Sequence, residues 1–364
     1  MAAKYRVAII GTGRMGGLIE DEIAIGDSGR PYGHFSAYRA IEACEVVAVA
    51  NRGAERLKRF SERFGFTNTY LNYQEMILRE KPDIVSVTTP SFARAAPLIF
   101  CAEHGVRGIY SEKGLCASLA EADQIRAAML ANRVAFNWGA SRRHMPVYAK
   151  LRDAIAAGAI GQPRFAAQYA YTDIIKHHPH TLDTVGMLLG DPAPAWVEGR
   201  LIEPGDPFDP NPTRPHPTYD PAGHRFVPAP GREIADPMVG FFRVGYANGA
   251  EGYFIPRRGA WEVEVIGTEG RAYAWNDGLH TRIRRDVRGS DVTETVIRAV
   301  GESQTMRTIR DIIRELETGQ RTAGNIDITM QTVEAQFGIA HSHLQGGRRV
   351  SVPVADRSLY IPGG

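Results

Sequence analysis

Short apolar runs and longer helix-forming segments alternate along the first 140 residues. The runs are "YRVAII" (5–10), "EVVAVAN" (45–51), "DIVSVTTP" (83–90), "GIYSEK" (108–113) and "VAFNWG" (134–139). Between them lie segments such as "AERLKRFSERF", "RAAPLIFCAEHG" and "LAEADQIRAAMLANR". Apolar strands of this kind, without in–out alternation, are buried on both faces, which a parallel sheet covered by helices provides. The pattern predicts an α/β fold that opens with a doubly wound parallel sheet of Rossmann type over residues 1–140.

The second half reads differently. "QPRFAAQYAY", "AWVEGRLIE", "MVGFFRVGYANGAEGYFIP", "AWEVEVIGTEGRAYAW" and "LHTRIRR" are strand-like, with "YANGAEG" a hairpin turn whose Asn-Gly tolerates positive φ. With helices expected around 303–318 and 327–345, residues 141–364 form an α+β domain on a large, mostly antiparallel sheet. Within it, residues 204–231 are so dense in proline, aspartate and glycine that no regular element is expected there. The segment either covers a site, reaches a neighbouring subunit or is a disordered insertion.

Length supports two domains, since 364 residues exceed what one hydrophobic core sustains. A net charge of +2 offers no strong field for nucleic acid or an anionic membrane, and neither is expected as a partner. Cys44, Cys101 and Cys116 lack paired spacing, so a reducing, cytoplasmic setting is expected, with neither signal peptide nor membrane span in view.

Candidate chemistry begins at "GTGRMG", which follows the first strand and places Gly11, Gly13 and Gly16 at G-x-G-x-x-G spacing. The first glycine permits a tight turn, the second lets backbone approach a pyrophosphate, and the third allows helix–strand packing. An opening helix would then face the anion with its amino end. Gly11, Thr12, Gly13, Arg14, Met15 and Gly16 are the expected dinucleotide contacts. The insertion "IGDSGRPYG" (25–33) lengthens the first crossover as a loop or lid. At the end of the second strand stand Asn51 and Arg52, with Arg56 a turn later, where NAD sites usually offer a carboxylate. An arginine pairs with a 2′-phosphate, so NADP is expected, with NAD the alternative.

"KHHPHTLD" (176–183) packs Lys176, His177, His178, His180 and Asp183 into eight positions. Read alone it is a metal site, a proton relay or a solvated turn. No cysteine or carboxylate ligand stands nearby at familiar spacing and Lys176 repels a cation, so no metal is expected.

With "GTGRMG", "VSVTTPS" and "YSEKGL" in order along one sheet, the chain resembles the family of glucose–fructose oxidoreductase and inositol dehydrogenase, the Gfo/Idh/MocA proteins. In that family a strand ends in Glu-Lys-Pro; here Glu112 and Lys113 precede a glycine. The resemblance implies that Lys113 stands between nicotinamide and substrate, a role that an ammonium at a strand's carboxyl end can fill. It also places Thr89, Pro90 and Ser91 on the nicotinamide side and brings Arg142 or Arg143 of "SRRHMP" toward cofactor or substrate. Counting back from Gly190 aligns His180 with the family's acid–base histidine and Asp183 with the aspartate that follows it. The same count puts Lys176 where relatives carry aspartate. Asp173 lies four residues before His177, a displaced pair against which helix register argues. Lys176, His177 and His178 are expected substrate contacts, and Asp183 a supporting partner. Tyr253, Arg257, Arg258 and Trp261 are further pocket candidates.

The implied activity is hydride transfer between NADP or NAD and a carbinol carbon of a sugar, polyol or related cyclic substrate, in a homodimer or homotetramer. Two alternatives stand beside it: an NAD-retaining enzyme that cleaves or epimerises glycosides, and a non-catalytic sensor of nicotinamide redox state.

Overall fold

The computed structural model describes residues 4–22, 29–259, 261–286 and 292–363; of the insertion at 25–33, residues 25–28 lie outside the described part. The chain begins with β1 (Tyr5–Ile10), a 3-10 turn at Leu18–Asp21, α1 (His34–Arg39), β2 (Cys44–Ala50), α2 (Ala54–Phe64), β3 (Thr69–Tyr70) and α3 (Tyr73–Glu80). It continues through β4 (Ile84–Val87), α4 (Ala95–Glu103), β5 (Gly108–Ser111), α5 (Leu119–Ala131), β6 (Ala135–Trp138), α6 (Pro146–Ala156), β7 (Pro163–Tyr169), α7 (His178–Leu188) and β8 (Pro194–Leu201). Then come β9 (Thr218–Asp220), β10 (Arg225–Val227), β11 (Val239–Tyr246), β12 (Glu251–Ile255), β13 (Glu262–Gly267), β14 (Gly270–Trp275), β15 (His280–Asp286) and β16 (Val292–Ile297). The last elements are α8 (Gln304–Thr318), α9 (Ile326–Leu344) and β17 (Val350–Ser351).

Residues 1–116, 121–144 and 300–329 make the first compact unit. Its six strands run in the order β3-β2-β1-β4-β5-β6, every neighbouring pair parallel. The order reverses between β1 and β4, the position at which doubly wound sheets open a ligand crevice beyond the strands' carboxyl ends. Burial drives the assembly: Val7, Ile9 and Ile84 pack with Phe35, Tyr38 and Phe60. The linear boundary at 140 does not contain this unit, because α8 returns to it. Met306, Ile309, Ile312 and Ile313 recur at helical spacing and join the same core. Gly108 admits them: a Cβ there would lie 2.7 Å from Ile312 Cγ2.

One expected element is absent from this unit as described. After the glycine motif the chain makes turns and the 3-10 segment Leu18–Asp21, not an opening α-helix. Gly16, Gly17, Gly29, Pro31 and Gly33 account for it, since each disfavours helix interior. The six-residue α1 takes the helix's place behind the motif, but its leading amides are already engaged: His34 N donates to Met15 O at 2.9 Å and Phe35 N to Gly16 O at 3.1 Å. An anion at this motif is therefore met by the turn's own backbone, not by a helix dipole.

Residues 117–120, 145–299 and 330–364 form the second unit. Its nine-stranded sheet has the order β16-β15-β14-β13-β7-β12-β11-β8-β17, antiparallel except where β7 meets β12. One face buries Ala166, Phe242, Phe254, Val263 and Val265; the other exposes Phe165, Phe241, Ile266 and Trp275. The proline-dense 204–231 stretch does contain regular structure, contrary to expectation. β9 and β10 pair antiparallel within it, joined by a turn in which Asp220 Oδ1 accepts from Ala222 N at 3.1 Å. The prolines and glycines lie outside those two three-residue strands, and residues near 360 support them: Phe226 N donates to Tyr360 O at 2.9 Å and Tyr360 N to His224 O at 3.1 Å. Among the described residues no helix is long and apolar enough to cross a membrane.

Candidate active site

A cleft of ≈1220 Å³ lies at the carboxyl ends of β1, β2 and β4, lined by Gly11, Gly13, Asn51, Arg52, Arg56, Arg59, Thr88, Thr89 and Pro90 among others. Gly11 has φ +103°, and a Cβ on it would sit 2.6 Å from Thr88 Oγ1, so only glycine fits. Gly13 shows the complementary feature: a Cβ there would meet nothing within 4 Å. A side chain would thus fill space beside the turn through which a phosphate must approach backbone. Gly16 packs against the Gly11 carbonyl, so it closes the turn on itself instead of admitting a helix. The turn's carbonyls are taken up internally: Gly13 O by Gly17 N at 3.2 Å and Arg14 O by Ile19 N at 2.8 Å. Left bare, they would repel an anion.

Other expected cofactor contacts are placed unevenly. Thr12 is fully buried, and Arg14 is exposed and ion-paired with Glu22. Ser91 is buried in the short 3-10 turn after Pro90. Arg142 is half-buried in the 3-10 segment Ser141–His144. None of these four, nor Met15, lines the cleft. Arg59 does line it, and the sequence reading missed it; with Arg52 and Arg56 it makes three guanidinium groups on one wall.

The loop after β5 is held from two sides. Glu112 is 4% exposed; its Oε1 lies 3.2 Å from His34 Nε2, and its Oε2 accepts from Lys113 N at 3.2 Å. Burial alone would raise this carboxyl, but the His34 hydrogen bond and the His34, Lys113 and Arg94 charges outweigh it and hold it below its usual range. Lys113 itself is half-buried and its peptide bond to Gly114 is cis. On the other side stands Arg94, 3% exposed, donating through Nη1 to Gly114 O and through Nη2 to Thr89 O. Burial pulls its pKa down to about 10, against the Glu112 charge that raises it. Arg94 thereby ties the cleft-lining Thr89 turn to the loop that carries Lys113. Neither His34 nor Arg94 belongs to any motif read from the sequence.

In the second unit the histidines separate into three environments. His177 precedes α7 and is half-exposed, its Nδ1 2.6 Å from Asp173 Oδ1. This is the displaced pair that register seemed to exclude: α7 starts at His178, so Asp173 to His177 is a turn, with His178 N donating back to Asp173 O at 2.9 Å. Asp173 is buried, yet the His177 hydrogen bond and the His177, Arg214 and Lys176 charges hold its carboxyl below the usual range despite the upward push of burial. Arg214, from the proline-dense segment, reaches Asp173 Oδ2 at 3.5 Å. That segment is anchored by Asp209, which accepts from Tyr171 OH at 2.7 Å and lies 3.0 Å from His216 Nε2. Beneath Lys176, Asp236 accepts the amides of Ile175 at 2.8 Å and Lys176 at 2.9 Å. Burial and then the Asp173 charge push it well above its usual range.

His178, expected among the substrate contacts, faces the core of its unit. It is 3% exposed, 2.8 Å from Thr172 Oγ1, edge-on to Phe242 and Phe254, and burial depresses it to about 3. Its neutral ring is a core element. His180 is half-buried with its ring edge toward Trp261, centroids 6.1 Å apart, and Asp183 is buried one turn on. Of the aromatic and basic candidates on the sheet, Trp261 is thus beside His180. Tyr253 donates to Glu251 on the opposite, exposed face near Phe165. Arg257 and Arg258 are exposed after β12, Arg257 with Glu262. Among the described residues no group of three or more histidine, cysteine, aspartate or glutamate side chains could hold a metal ion.

Residues 5–138 match the family described as "Oxidoreductase family, NAD-binding Rossmann fold", GFO_IDH_MocA. Among characterised proteins, D-apiose dehydrogenase of Paraburkholderia graminis is 27% identical over 176 residues, covering 43% of this chain and 46% of that one. Myo-inositol 2-dehydrogenase of Thermotoga maritima is 26% identical over 159 residues, 43% of this chain and 42% of that one. The chain therefore spans less than half the length of these relatives. A crystal structure of an NAD binding oxidoreductase from Klebsiella pneumoniae shares the fold over 97% of this chain and 100% of that one, with a TM-score of 0.76 at 18% identity. The glycine turn, the strand order around it and the Glu112–Lys113 loop all fall inside the matched segment, so residues 5–138 are similar to the NAD-binding Rossmann domain of the GFO_IDH_MocA oxidoreductases.

Proposed function

We propose that this protein is an NADP-preferring dehydrogenase or reductase that moves a hydride between nicotinamide and a carbinol carbon of a sugar, polyol or related cyclic substrate. The observation that carries it is the cleft at the switch point, where a glycine turn with open space at Gly13 and three arginines share one wall. The donor set suits NADP: Asn51 stands where a carboxylate would repel a 2′-phosphate, and Arg52, Arg56 and Arg59 supply charge-assisted donors. When bound, the nicotinamide supplies the hydride chemistry, while the protein contributes orientation and electrostatics.

Gly11 shapes the turn, Gly13 leaves room for the diphosphate and the carbonyls turned inward keep their negative ends away from it, while the Thr88–Pro90 turn, fixed by Arg94, shapes the floor beside it. Lys113 orients the substrate hydroxyl and stabilises developing alkoxide charge, and its carboxylate neighbour Glu112 keeps the backbone of that loop in place. His180 exchanges the hydroxyl proton. Asp173 and His177 form a second imidazole–carboxylate pair four residues apart, and Lys176 replaces the acidic residue expected from the family. The two similar enzymes, which dehydrogenate apiose and inositol, support a polyhydroxylated substrate.

The test is a panel of aldoses, polyols and cyclitols followed at the nicotinamide absorbance with NAD and NADP in parallel. Steady formation of reduced NADP supports the proposal. Glycoside turnover without net absorbance change would favour the cofactor-retaining alternative, and failure to bind either dinucleotide would end the main reading.

A further inference from the structure

The first unit contains a fully buried polar chain that no step above uses. Tyr38 OH lies 2.9 Å from Ser86 Oγ, Ser86 Oγ lies 2.9 Å from His34 Nδ1, and His34 Nε2 lies 3.2 Å from Glu112 Oε1. All four residues are buried, and they come from α1, β4 and the end of β5. The Tyr110 ring covers His34 at 4.1 Å between centroids. Gly139 closes the far side, since a Cβ there would stand 3.0 Å from Glu112 Oε2.

Donor counting fixes the direction of its last bond: an ionised carboxylate only accepts, so His34 Nε2–H donates to Glu112. On the other side Ser86 Oγ bridges His34 Nδ1 and Tyr38 OH, so each polar atom of the chain has a partner. Burial pushes the Tyr38 hydroxyl far above its usual range, so the far end gives up no proton. The chain is consequently a fixed lock and not a proton path. Its working end is Glu112, whose second oxygen holds the Lys113 amide. The charged or titratable groups facing Glu112 are His34 from α1, Arg94 before α4, and Lys113 and Tyr110 from its own strand and loop.

We propose that His34 is a positioning residue: through Ser86 and Glu112 it sets the backbone from which Lys113 reaches the reacting centre. This rests on the reading of Lys113 given above. His34 never touches substrate; it acts by holding the Glu112 carboxylate, and so the Lys113 amide, in one place, where a displacement of about 1 Å costs on the order of 100-fold in rate.

Three substitutions in the full chain test this: His34→Leu removes the donor, His34→Gln returns an N–H near the place of Nε2, and Glu112→Gln removes the charge. With NADP and the best substrate of the panel, H34L lowers kcat about 10–100-fold. It leaves the NADP Kd within about threefold, because the cleft wall is intact. H34Q recovers most of the rate, and H34L combined with E112Q is no worse than E112Q alone. Independently of turnover, infrared difference spectra against wild type at neutral pH show an added protonated-carboxyl stretch in H34L that is absent from the H34Q and H34L/E112Q differences. An H34L rate equal to wild type, an H34Q loss as large as that of H34L, or absence of the carboxyl stretch from H34L overturns the proposal. If wild type turns over no panel substrate while the infrared pattern is as stated, the dehydrogenase reading fails and the hold of His34 on Glu112 stands.

Discussion

Replacing Arg94 by methionine separates the stability of the first unit from the readiness of its cleft. The substitution leaves the Thr89 and Gly114 carbonyls without their donor, about 1–3 kcal/mol each. Against that, a guanidinium whose pKa burial has drawn from 12.5 to about 10 carries about 3 kcal/mol of unfavourable desolvation that methionine does not. The two effects largely offset each other, so unfolding free energy falls by no more than about 3 kcal/mol. Binding is affected differently. Thr89 and Pro90 line the cleft and lose their tether, so a dinucleotide must order them itself, at about 1–2 kcal/mol for each residue refixed. At 1.4 kcal/mol per tenfold, the resulting ~2–4 kcal/mol lowers NADP affinity roughly 30- to 700-fold. Arg94→Lys, whose single ammonium does not reproduce the two-pronged contact, falls between. The assay is calorimetric titration with NADP alongside denaturant unfolding of the same samples. Unchanged affinity in R94M would refute the reasoning, as would a loss of more than about 5 kcal/mol in stability with binding intact.

The remaining predictions are brief. Arg52→Ala combined with Arg56→Ala weakens NADP about 10–100-fold while NAD changes little, since a charge-assisted bond to phosphate contributes about 1.5–3 kcal/mol; parallel titrations check the split. His178 takes no proton in the fold until about pH 3, whereas the unfolded chain takes one near pH 6.5. Its contribution is therefore complete above pH 6.5 and is lost as pH falls, by at most about 4–5 kcal/mol. His178→Asn should flatten that part of the pH dependence of the unfolding midpoint between pH 7 and 4. The exposed sheet face carrying Phe165, Ile266 and Trp275 is the surface that the expected homo-oligomer would bury, so Ile266→Glu should yield a smaller species by light scattering.

What could be read from the chain followed burial. β1 and α2 begin and end where their apolar patterns do, and the parallel order of the first sheet follows from strands apolar on both faces. Among the described residues no α-helix follows "GTGRMG" directly, because four glycines and a proline within the next seventeen residues outweigh the motif's helical signal. In 204–231 the opposite error arose: the count of breakers hid two strands whose partners include Tyr360, some 130 residues away. The buried lock was missed because His34 and Glu112 are 78 positions apart and neither spacing nor motif joins them. A signal existed nonetheless. Ser86 is the polar residue in a strand buried at every position, and a buried hydroxyl requires a partner. The Asp173–His177 bond, visible as a four-residue spacing, was discounted by assuming that α7 began earlier than it does.

That residues 300–329 belong with residues 1–144 has a consequence for how the protein is made. A ribosome finishes β6 long before it produces Ile309 and Ile312, and at ~5–20 residues per second the intervening segment 145–299 takes roughly 8–30 s to emerge. Throughout that interval the nascent sheet lacks the helix that covers β5 and β6. A fragment ending near residue 140 would carry the same bare apolar surface permanently, so an isolated nucleotide-binding piece should precipitate, whereas a fusion of 1–144 to 300–329 through a short linker should remain in solution.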